Sequence, residues 1–172
     1  LGVPLSVNID NGVAAMAMAR LAGVTDEELR RGMESFRGVE RRFDFKLKSE
    51  AKVYLSDYAH HPAEIRQSAL SIRELYAGRK VTAIFQPHLY SRTQDFYREF
   101  AESLSLFDEV ILTDIYPARE APIPGVTSAL IYENLGAGVK KLMISKEEVL
   151  DTVKAKKEEL EVLVTLGAGD IE

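Results

Sequence analysis

The chain has 172 residues, of which 46% are hydrophobic and 28% charged, a composition typical of a soluble globular protein. Its 27 acidic and 22 basic residues give a net charge of -5, which argues against a general nucleic-acid binder. No apolar run approaches the roughly 18 residues that cross a bilayer, no signal-peptide pattern opens the chain, and the absence of cysteine excludes disulfides and thiolate metal sites. We therefore expect a cytoplasmic protein that binds neither nucleic acid nor a membrane.

The first part of the chain is predicted to form two helices packed as an αα-hairpin. A stretch rich in Ala and Met favours the first helix, and Asn11 is expected to be its N-cap. Thr25 and Glu28 form the capping-box pattern that opens the second helix. The pattern then changes, which divides the chain into residues 1–37 and residues 38–172.

Beyond this boundary, apolar strands alternate with amphipathic helices. Strands are predicted over 42–48, 52–55, 81–85, 110–113, 140–144 and 162–166, and helices over 62–76, 94–106, 128–135 and 145–159. The first two strands alternate polar and apolar residues and are predicted to form a hairpin or a bent pair of strands. Helices between the later strands imply right-handed crossovers, so the predicted fold class is α/β: a Rossmann-like, mostly parallel sheet with helices on both faces.

Both ends of the chain are expected to be cut. The sequence begins with Leu1 rather than Met, and it stops just after the apolar strand at 162–166, where an α/β alternation predicts a further helix. Without that helix, an apolar strip beside the strand is expected to be exposed. Two copies of the chain could then pair along this strip as a homodimer.

Polar residues collect in three loops that each follow a predicted strand. The loops cover residues 56–61, 86–93 and 114–124, and all three histidines of the chain, His60, His61 and His88, lie in the first two. In a parallel sheet these loops open at one edge, which is where α/β proteins bind ligands. There Arg92 can hold a carboxylate or phosphate through two parallel hydrogen bonds, and a histidine can orient a substrate or titrate.

Other interpretations of these residues stay open. Each histidine can be an ordinary hydrogen-bonded loop residue, and a metal site with Asp57 and Asp114 is a further alternative, although the spacing matches no zinc pattern. Arg41 and Arg42 can hold phosphate or bridge to acids. Asp57 can bind a ribose hydroxyl or a magnesium ion, or cap the following helix.

The glycines at 167–169 do not complete a dinucleotide-binding fingerprint, and the chain contains no Gly-x-x-x-x-Gly-Lys-Ser/Thr phosphate loop. If ATP is used, the residues that grip its phosphates are therefore expected upstream of Leu1.

Five stretches carry a resemblance to a known family: residues 38–43, 57–62, 85–93, 114–125 and 167–171. In this order they resemble the Mur ligases, ATP-dependent enzymes that add amino acids to the peptidoglycan precursor. The Phe-Gln-Pro-His-Leu-Tyr-Ser-Arg-Thr stretch is similar to that of the members that join L-alanine to UDP-N-acetylmuramate. The members that attach a murein tripeptide to the same sugar nucleotide share the His-His-Pro sequence but differ in this stretch.

The resemblance implies a parent protein of three domains, which bind the UDP-sugar, ATP and the incoming amino acid. Residues 1–37 would be the tail of the central ATP-binding domain, and residues 38–172 the C-terminal Rossmann-like domain without its final helix. The family reaction converts the muramate carboxylate to an acyl phosphate with ATP and Mg²⁺, and the alanine amine then attacks through a tetrahedral intermediate. It implies a role in peptidoglycan and cell-wall biosynthesis, and through these in cell shape, cell cycle and cell division.

The resemblance also implies site residues. Asn8, Asn11, Arg42 and Asp57 match nucleotide-binding positions: the two asparagines near the adenine, Arg42 at a phosphate and Asp57 at the ribose. The His that precedes these asparagines in the family is Val7 here. ATP and Mg²⁺ would be bound mainly by the missing upstream part, with no metal ligand in this chain, so the chain alone is expected to be inactive.

The amino-acid pocket implied by the resemblance contains Tyr58, His60, His88 and Arg92. Arg92 would hold the alanine carboxylate, and His60 or His88, the candidate catalytic residues, would orient the substrate. A second Arg found in relatives is Leu89 here, so carboxylate binding rests on Arg92 alone or also on Arg119. The alternative from another class is a non-catalytic Rossmann-like binding module, which a phosphate loop upstream would exclude.

Overall fold

The structure is a computed structural model that describes residues 6–171, with side chains from residue 9 onward. The chain divides into two compact units, Leu1–Glu40 and Arg41–Glu172, and each is described here by itself. No helix among the described residues is both long enough and apolar enough to span a bilayer.

The first unit is an αα-hairpin of α1 (Ser6–Leu21) and α2 (Asp26–Ser35). The predicted capping box is confirmed, because Thr25 Oγ1 accepts from Glu28 N–H (3.4 Å) and Glu28 Oε2 accepts from Thr25 N–H (3.0 Å). The prediction that Asn11 caps α1 is wrong. The helix already begins at Ser6, and no Gly or Pro lies between Ser6 and Asn11 to stop it.

The second unit is built on a six-stranded sheet. Its strands are β1 (Asp44–Lys48), β2 (Val53–Asp57), β3 (Val81–Phe85), β4 (Glu109–Leu112), β5 (Lys140–Met143) and β6 (Val162–Leu166). They lie in the order β1-β2-β6-β3-β4-β5, and every neighbouring pair is parallel except β1 with β2. The predicted mostly parallel sheet with a hairpin at one edge is confirmed.

Four helices connect the strands: α3 (Pro62–Leu75), α4 (Tyr90–Leu104), α5 (Ala129–Asn134) and α6 (Val149–Ala155), the last preceded by a 3₁₀ turn (Lys146–Glu148). The start of α4 and the end of α6 each differ from the predicted bound by four residues. Helix α4 begins at Tyr90 rather than Gln94, so Arg92 lies in its first turn. Helix α6 ends before 159 because the chain turns there and buries Leu160 under the sheet.

Helices cover both faces of the sheet, as predicted. Ile84 and Phe85 point to opposite faces, because successive side chains of a strand alternate. Phe85 packs against Phe100 of α4 with ring centroids 5.3 Å apart. Ile84 belongs to a cluster on the other face that includes Val149 and Val153 of α6. Each face of the sheet therefore buries an apolar layer.

An apolar groove of about 570 Å³ lies on the α6 face. It runs beside β6, where the sequence predicts an exposed apolar strip, and Leu163 forms part of its lining while staying buried. The exposed apolar residues at its margin are Leu47 of β1 and Leu150 of α6, whose side chains are 49% and 61% exposed. We call this surface the α6 groove.

Candidate functional site

The carboxyl ends of β2, β3 and β4 open at one edge of the sheet, because β2 and β3 both pair in parallel with β6 and β4 pairs in parallel with β3. A short bridge joins the loops after β3 and β4. In it, Tyr116 N–H donates to the Pro87 carbonyl (2.8 Å) and Leu89 N–H donates to the Tyr116 carbonyl (3.0 Å). The polar loops predicted from sequence therefore converge at this edge.

Four aromatic rings from these loops form a continuous row, which we call the ring ladder: Tyr58, His60, His88 and Tyr116. Neighbouring ring centroids lie 5.1, 6.1 and 5.7 Å apart along the row, and the last pair is stacked. Cζ of Arg42 lies 5.2 Å from the Tyr58 centroid, and Nη1 of Arg92 lies 3.4 Å from Nδ1 of His88. The four residues predicted for the amino-acid pocket thus form one cluster. Tyr116 joins them, although no role was assigned to it from sequence.

The contact with Arg92 determines the protonation of His88. A guanidinium can only donate, so Nδ1 of His88 accepts and the proton of the neutral ring lies on Nε2. Burial lowers the pKa of His88 below its ordinary value of 6.5, and the positive charges of Arg92 and His60 lower it further, against an opposing effect of Glu120. His88 is therefore neutral at pH 7, with its lone pair next to Arg92.

His60 is held by its own loop and by α3. Its Nδ1 lies 2.8 Å from the Tyr58 carbonyl oxygen, which can only accept, so Nδ1 carries a proton. Glu64 Oε2 accepts from the backbone N–H groups of His60 (2.9 Å) and His61 (3.2 Å), which ties the loop to the first turn of α3. These hydrogen bonds fix the position of His60 between Tyr58 and His88.

Arg41 and Arg42 are neighbours in a strained turn, and both lie over Tyr58 with Cζ 4.9 and 5.2 Å from the ring centroid, but their polar contacts differ. Arg41 and Phe43 both have positive φ (57° and 52°), a region that costs non-glycine residues free energy. Arg41 Nη2 donates to the carbonyls of Gly167 and Gly169 (2.9 Å each), so it holds the segment after β6. The side chain of Arg42 is half exposed, and its Nη1 lies 3.9 Å from Glu64 Oε1. A guanidinium has five N–H donors, so this contact leaves Arg42 donors for an external anion.

Asp57 is buried at the end of β2 with several donors around its carboxylate. The Ser68 hydroxyl donates to it, and the backbone N–H groups of Phe43 and Ala59 also bond to it. Burial raises the pKa of Asp57 despite these bonds. Its carboxylate secures the strained turn against the loop after β2. A contact from Asp57 to a ribose hydroxyl would have to displace one of these donors.

The Gly167-Ala168-Gly169 segment owes its glycines to close packing. A Cβ atom on Gly169 would lie 2.1 Å from Gln86 Oε1 and 2.9 Å from Tyr116 Cγ, and one on Gly167 would lie 2.7 Å from the Gln86 carbonyl oxygen. Gln86 also pairs with Asp170, whose N–H donates to Gln86 Oε1 (3.0 Å). This segment supports the loop after β3, and Gly167 N–H donates to the Asp57 carbonyl (3.2 Å).

The remaining predicted positions lie in the first unit, in the loop after β4 or outside the described residues. Asn11 is exposed on α1 in the first unit, and the side chain of Asn8 lies outside the described residues. Asp114 and Arg119 are exposed in the loop after β4. Among the described residues, no group of three or more His, Asp or Glu side chains is arranged to hold a metal ion.

A model of the family described as Mur ligase, glutamate ligase domain, matches residues 41–169. These residues include the whole ring ladder together with Arg42 and Arg92. The chain belongs to this family. The match starts at the first residue of the second structural unit. The resemblance seen in the five sequence stretches is thereby confirmed.

Named relatives within the Mur ligase family share much of the sequence. UDP-N-acetylmuramate–L-alanine ligases of Phocaeicola vulgatus and Parabacteroides distasonis are 67% and 61% identical over all 172 residues, which make up 37% of each relative. The chain therefore spans just over a third of their length.

Solved structures agree in fold. The crystal structure of UDP-N-acetylmuramate–alanine ligase from Thermotoga maritima superposes with a TM-score of 0.77 at 28% identity, covering 98% of this chain and 36% of that one. A murein peptide ligase from Psychrobacter arcticus superposes with a TM-score of 0.65 at 20% identity, covering 94% of this chain and 34% of that one. The second likeness concerns the fold alone.

Proposed function

We propose that this chain is the amino-acid-positioning part of an ATP-dependent ligase that joins L-alanine to UDP-N-acetylmuramate during peptidoglycan precursor synthesis in the cytoplasm. The names of the two relatives at 67% and 61% identity support this substrate pair. In this proposal residues 1–37 are the tail of a central ATP-binding domain and residues 38–172 the C-terminal domain. Catalysis requires the rest of the protein, so the chain alone is inactive.

The observation that carries the proposal is the contact between Arg92 and His88. An α-amino acid bears its carboxylate and its amine on the same carbon, so the two groups need a cation and a proton acceptor side by side. Arg92 Nη1 and the accepting Nδ1 of His88 lie 3.4 Å apart. Arg92 binds the carboxylate of L-alanine and thereby releases Nδ1 of His88, whose lone pair then holds the amine and takes its proton as the amine becomes a nucleophile.

The other end of the ring ladder, at Tyr58 and Arg42, is where the phosphate groups bind in this proposal. Arg42 lies over Tyr58 and is exposed, so it binds a nucleotide phosphate or the acyl phosphate from which the amine displaces phosphate. Tyr58 and His60 lie between Arg42 and His88, so the ladder lines the space between the two reacting groups. Catalysis then results from positioning and from stabilising negative charge on the tetrahedral intermediate, without a covalent enzyme nucleophile.

Nucleotide binding by this chain is an auxiliary part of the proposal. Asn8 and Asn11 contact the adenine, Arg42 a phosphate and Asp57 the ribose, the last after giving up one of its present donors. Mg²⁺ neutralises phosphate charge when bound, and its ligands come from the part of the protein outside this chain.

Acceptor dependence tests the proposal. The full-length protein, supplied with ATP, Mg²⁺ and UDP-N-acetylmuramate, is expected to release phosphate only when L-alanine is added. Glycine and L-serine test how closely the side-chain pocket fits a methyl group. Phosphate release with a murein tripeptide instead of L-alanine would identify the protein as one of the family members that attach a murein tripeptide. No release with any acceptor would favour a non-catalytic binding module.

The pH dependence of the reaction tests the role of His88. Because the pKa of His88 lies below 6.5, the ring stays in its basic form as the pH falls from 8 to 6.5. Protonation of His88 should therefore lower kcat/KM for L-alanine only below pH 6.5, as an acidic limb of the pH profile. His88→Asn should abolish that acidic limb along with most of the activity. His61→Asn is the matched control, since His61 is exposed in the neighbouring loop. An acidic limb that survives in His88→Asn would exclude His88 as the base.

We also propose that two copies of the isolated chain pair through the α6 groove. Its exposed apolar margin, Leu47 and Leu150, would be covered in such a homodimer. Sedimentation equilibrium of residues 1–172 should show a monomer–dimer equilibrium that Leu150→Lys shifts to monomer. A strict monomer at high concentration would contradict the pairing.

A further inference from the structure

We propose that Glu120 is a positioning residue of the acceptor site: its carboxylate caps helix α4 from the loop after β4 and thereby holds Arg92 and His88 in register. This inference rests on the proposed function and adds a residue to its machinery. Glu120 lies outside the amino-acid pocket residues inferred from sequence, and it is brought to them only by the fold.

Helix α4 lacks a cap of its own. The residue at its N-cap is Leu89, which has no side-chain acceptor and adopts φ 73° and ψ 136°, a conformation that is strained for a non-glycine residue. The first backbone N–H groups of a helix have no partner within the helix. Because Arg92 lies in this first turn, its position depends on whatever satisfies those donors.

Glu120 supplies the missing acceptor. Its Oε2 accepts from Ser91 N–H (3.0 Å) and its Oε1 accepts from the Ser91 hydroxyl (2.5 Å). The bond from the Ser91 hydroxyl and that from the Ser91 backbone hold the pKa of Glu120 below its ordinary value, so the carboxylate is charged at neutral pH. A negative charge at a helix N-terminus is also favourable to the helix dipole.

The loop that carries Glu120 is anchored to the site at a second point. Tyr116, in the same loop, stacks on His88 and exchanges backbone hydrogen bonds with Pro87 and Leu89. Glu120 N–H donates to the Pro117 carbonyl (2.9 Å), which makes a tight turn between the two anchors. One loop therefore holds His88 through Tyr116 and the first turn of α4 through Glu120.

A positioning role differs from a merely structural one because Glu120 also acts on His88 through its charge. Among the described residues, the groups whose charges act on His88 are Arg92, His60 and Glu120, and of these three only Glu120 favours the protonated ring. Removing this charge should therefore move the pKa of His88 further down. Loss of the hydrogen bonds should instead loosen Arg92.

The experiment compares Glu120→Ala and Glu120→Gln in the full-length protein. Glu120→Ala should raise the KM for L-alanine about tenfold while the KM for ATP changes less than about twofold, because only the acceptor end loses a charge-assisted cap. Glu120→Gln, which keeps one acceptor oxygen, should raise that KM less and shift the acidic limb of kcat/KM to lower pH. Glu102→Gln, an exposed glutamate on the same helix, is the control and should change none of these values.

Hydrogen exchange provides a readout that does not depend on turnover. The peptide spanning residues 89–93 should exchange faster in Glu120→Ala than in the wild type, with Glu102→Gln unchanged. If the wild type turns over L-alanine but Glu120→Ala leaves its KM and this exchange rate unaltered, the positioning role is overturned. If the wild type shows no L-alanine-dependent turnover, the proposed function fails instead, whatever the exchange rates show. Equal increases in the KM values of L-alanine and ATP would also overturn the inference, since they indicate general disruption.

Discussion

Replacing Arg92 by alanine in the full-length protein should lower kcat/KM for L-alanine by about 10²- to 10³-fold while leaving the KM for ATP nearly unchanged. Truncating one partner of a hydrogen-bonded charge pair costs about 2–5 kcal/mol, which corresponds to a loss of this size. The loss should fall on the amino acid because Arg92 contacts His88 at the acceptor end of the ladder. Steady-state kinetics with each substrate varied in turn measures it.

Two further variants make this prediction specific. Arg92→Lys keeps the charge but loses the planar fork that binds a carboxylate twice, so its activity should lie between those of the wild type and Arg92→Ala. Arg98 lies on the same helix, and its Cζ is 5.3 Å from the ring centroid of Tyr97. Arg98→Ala removes this guanidinium and should behave like the wild type. Circular dichroism confirms that each variant is folded. Unchanged kcat/KM for L-alanine in folded Arg92→Ala would remove Arg92 from the pocket.

Replacing Glu109 by glutamine should cause a large loss of stability. Its side chain is 1% exposed at the start of β4 and bonds to Lys156 (2.6 Å) and Lys80 (2.9 Å), with Lys140 at 3.7 Å. Removing one partner of a fully buried ion pair costs about 3–5 kcal/mol. The side chains of the three lysines are 17–59% exposed, so their ammonium groups can be solvated when Glu109 is replaced. We therefore expect a smaller decrease, about 2–3 kcal/mol, in the free energy of unfolding. Urea denaturation of residues 1–172 measures it.

The pH dependence of that loss has a definite sign. Burial alone would raise the pKa of Glu109, but hydrogen bonds from Lys156 and Lys80 outweigh it, so the folded-state pKa lies below 4.5. A lowered carboxylate pKa adds stability above the unfolded value and loses it as the pH falls towards the folded value. The difference between wild type and Glu109→Gln should therefore be full at pH 7 and shrink below about pH 4.5.

A neighbouring glutamate serves as the control for this stability effect. Glu159 also lies near Lys140 and Lys156, but its side chain is 59% exposed. Glu159→Gln should therefore change the free energy of unfolding by less than about 0.5 kcal/mol. Equal losses in the two variants, or a Glu109 effect that grows on acidification, would contradict the buried-cluster account.

The sheet could be predicted from sequence because its strands are short apolar runs bounded by turns. The run from Val81 to Phe85 is buried at every position, and the predicted strand coincides with β3. Parallel pairing then determines that the loops after β2, β3 and β4 share an edge, so the neighbourhood of Tyr58, His88 and Arg92 follows from connectivity. These parts of the site depend on local patterns and on one topological rule.

The start of α4 and the place of Tyr116 in the ring ladder could not be predicted in this way. Residues 90–93 resemble a loop because Leu89 cannot cap a helix, and the acceptor that allows the helix to begin is Glu120, 29 positions away. Tyr116 is placed by a backbone bridge and by the space left at Gly169. Such tertiary contacts leave no periodic signal in the sequence.

Arg41 and the glycines at 167–169 were also outside the reach of local reasoning. Next to Arg42, Arg41 is an equal candidate for a phosphate until the structure shows its guanidinium on the carbonyls of Gly167 and Gly169. The glycines suggest a nucleotide loop until the approach of Gln86 explains them. In both cases the decisive partner is more than 80 residues distant in the chain.

Competition between acceptors tests the central claim most directly. The full-length protein is incubated with ATP, Mg²⁺, UDP-N-acetylmuramate and equal concentrations of L-alanine, glycine, L-serine and murein tripeptide. Mass spectrometry then identifies the products and compares their amounts. An Arg92–His88 site built for a small α-amino acid predicts the L-alanyl amide as the main product in the wild type and its loss in Arg92→Ala. A tripeptide product, or an L-alanyl product formed equally well by Arg92→Ala, would contradict it.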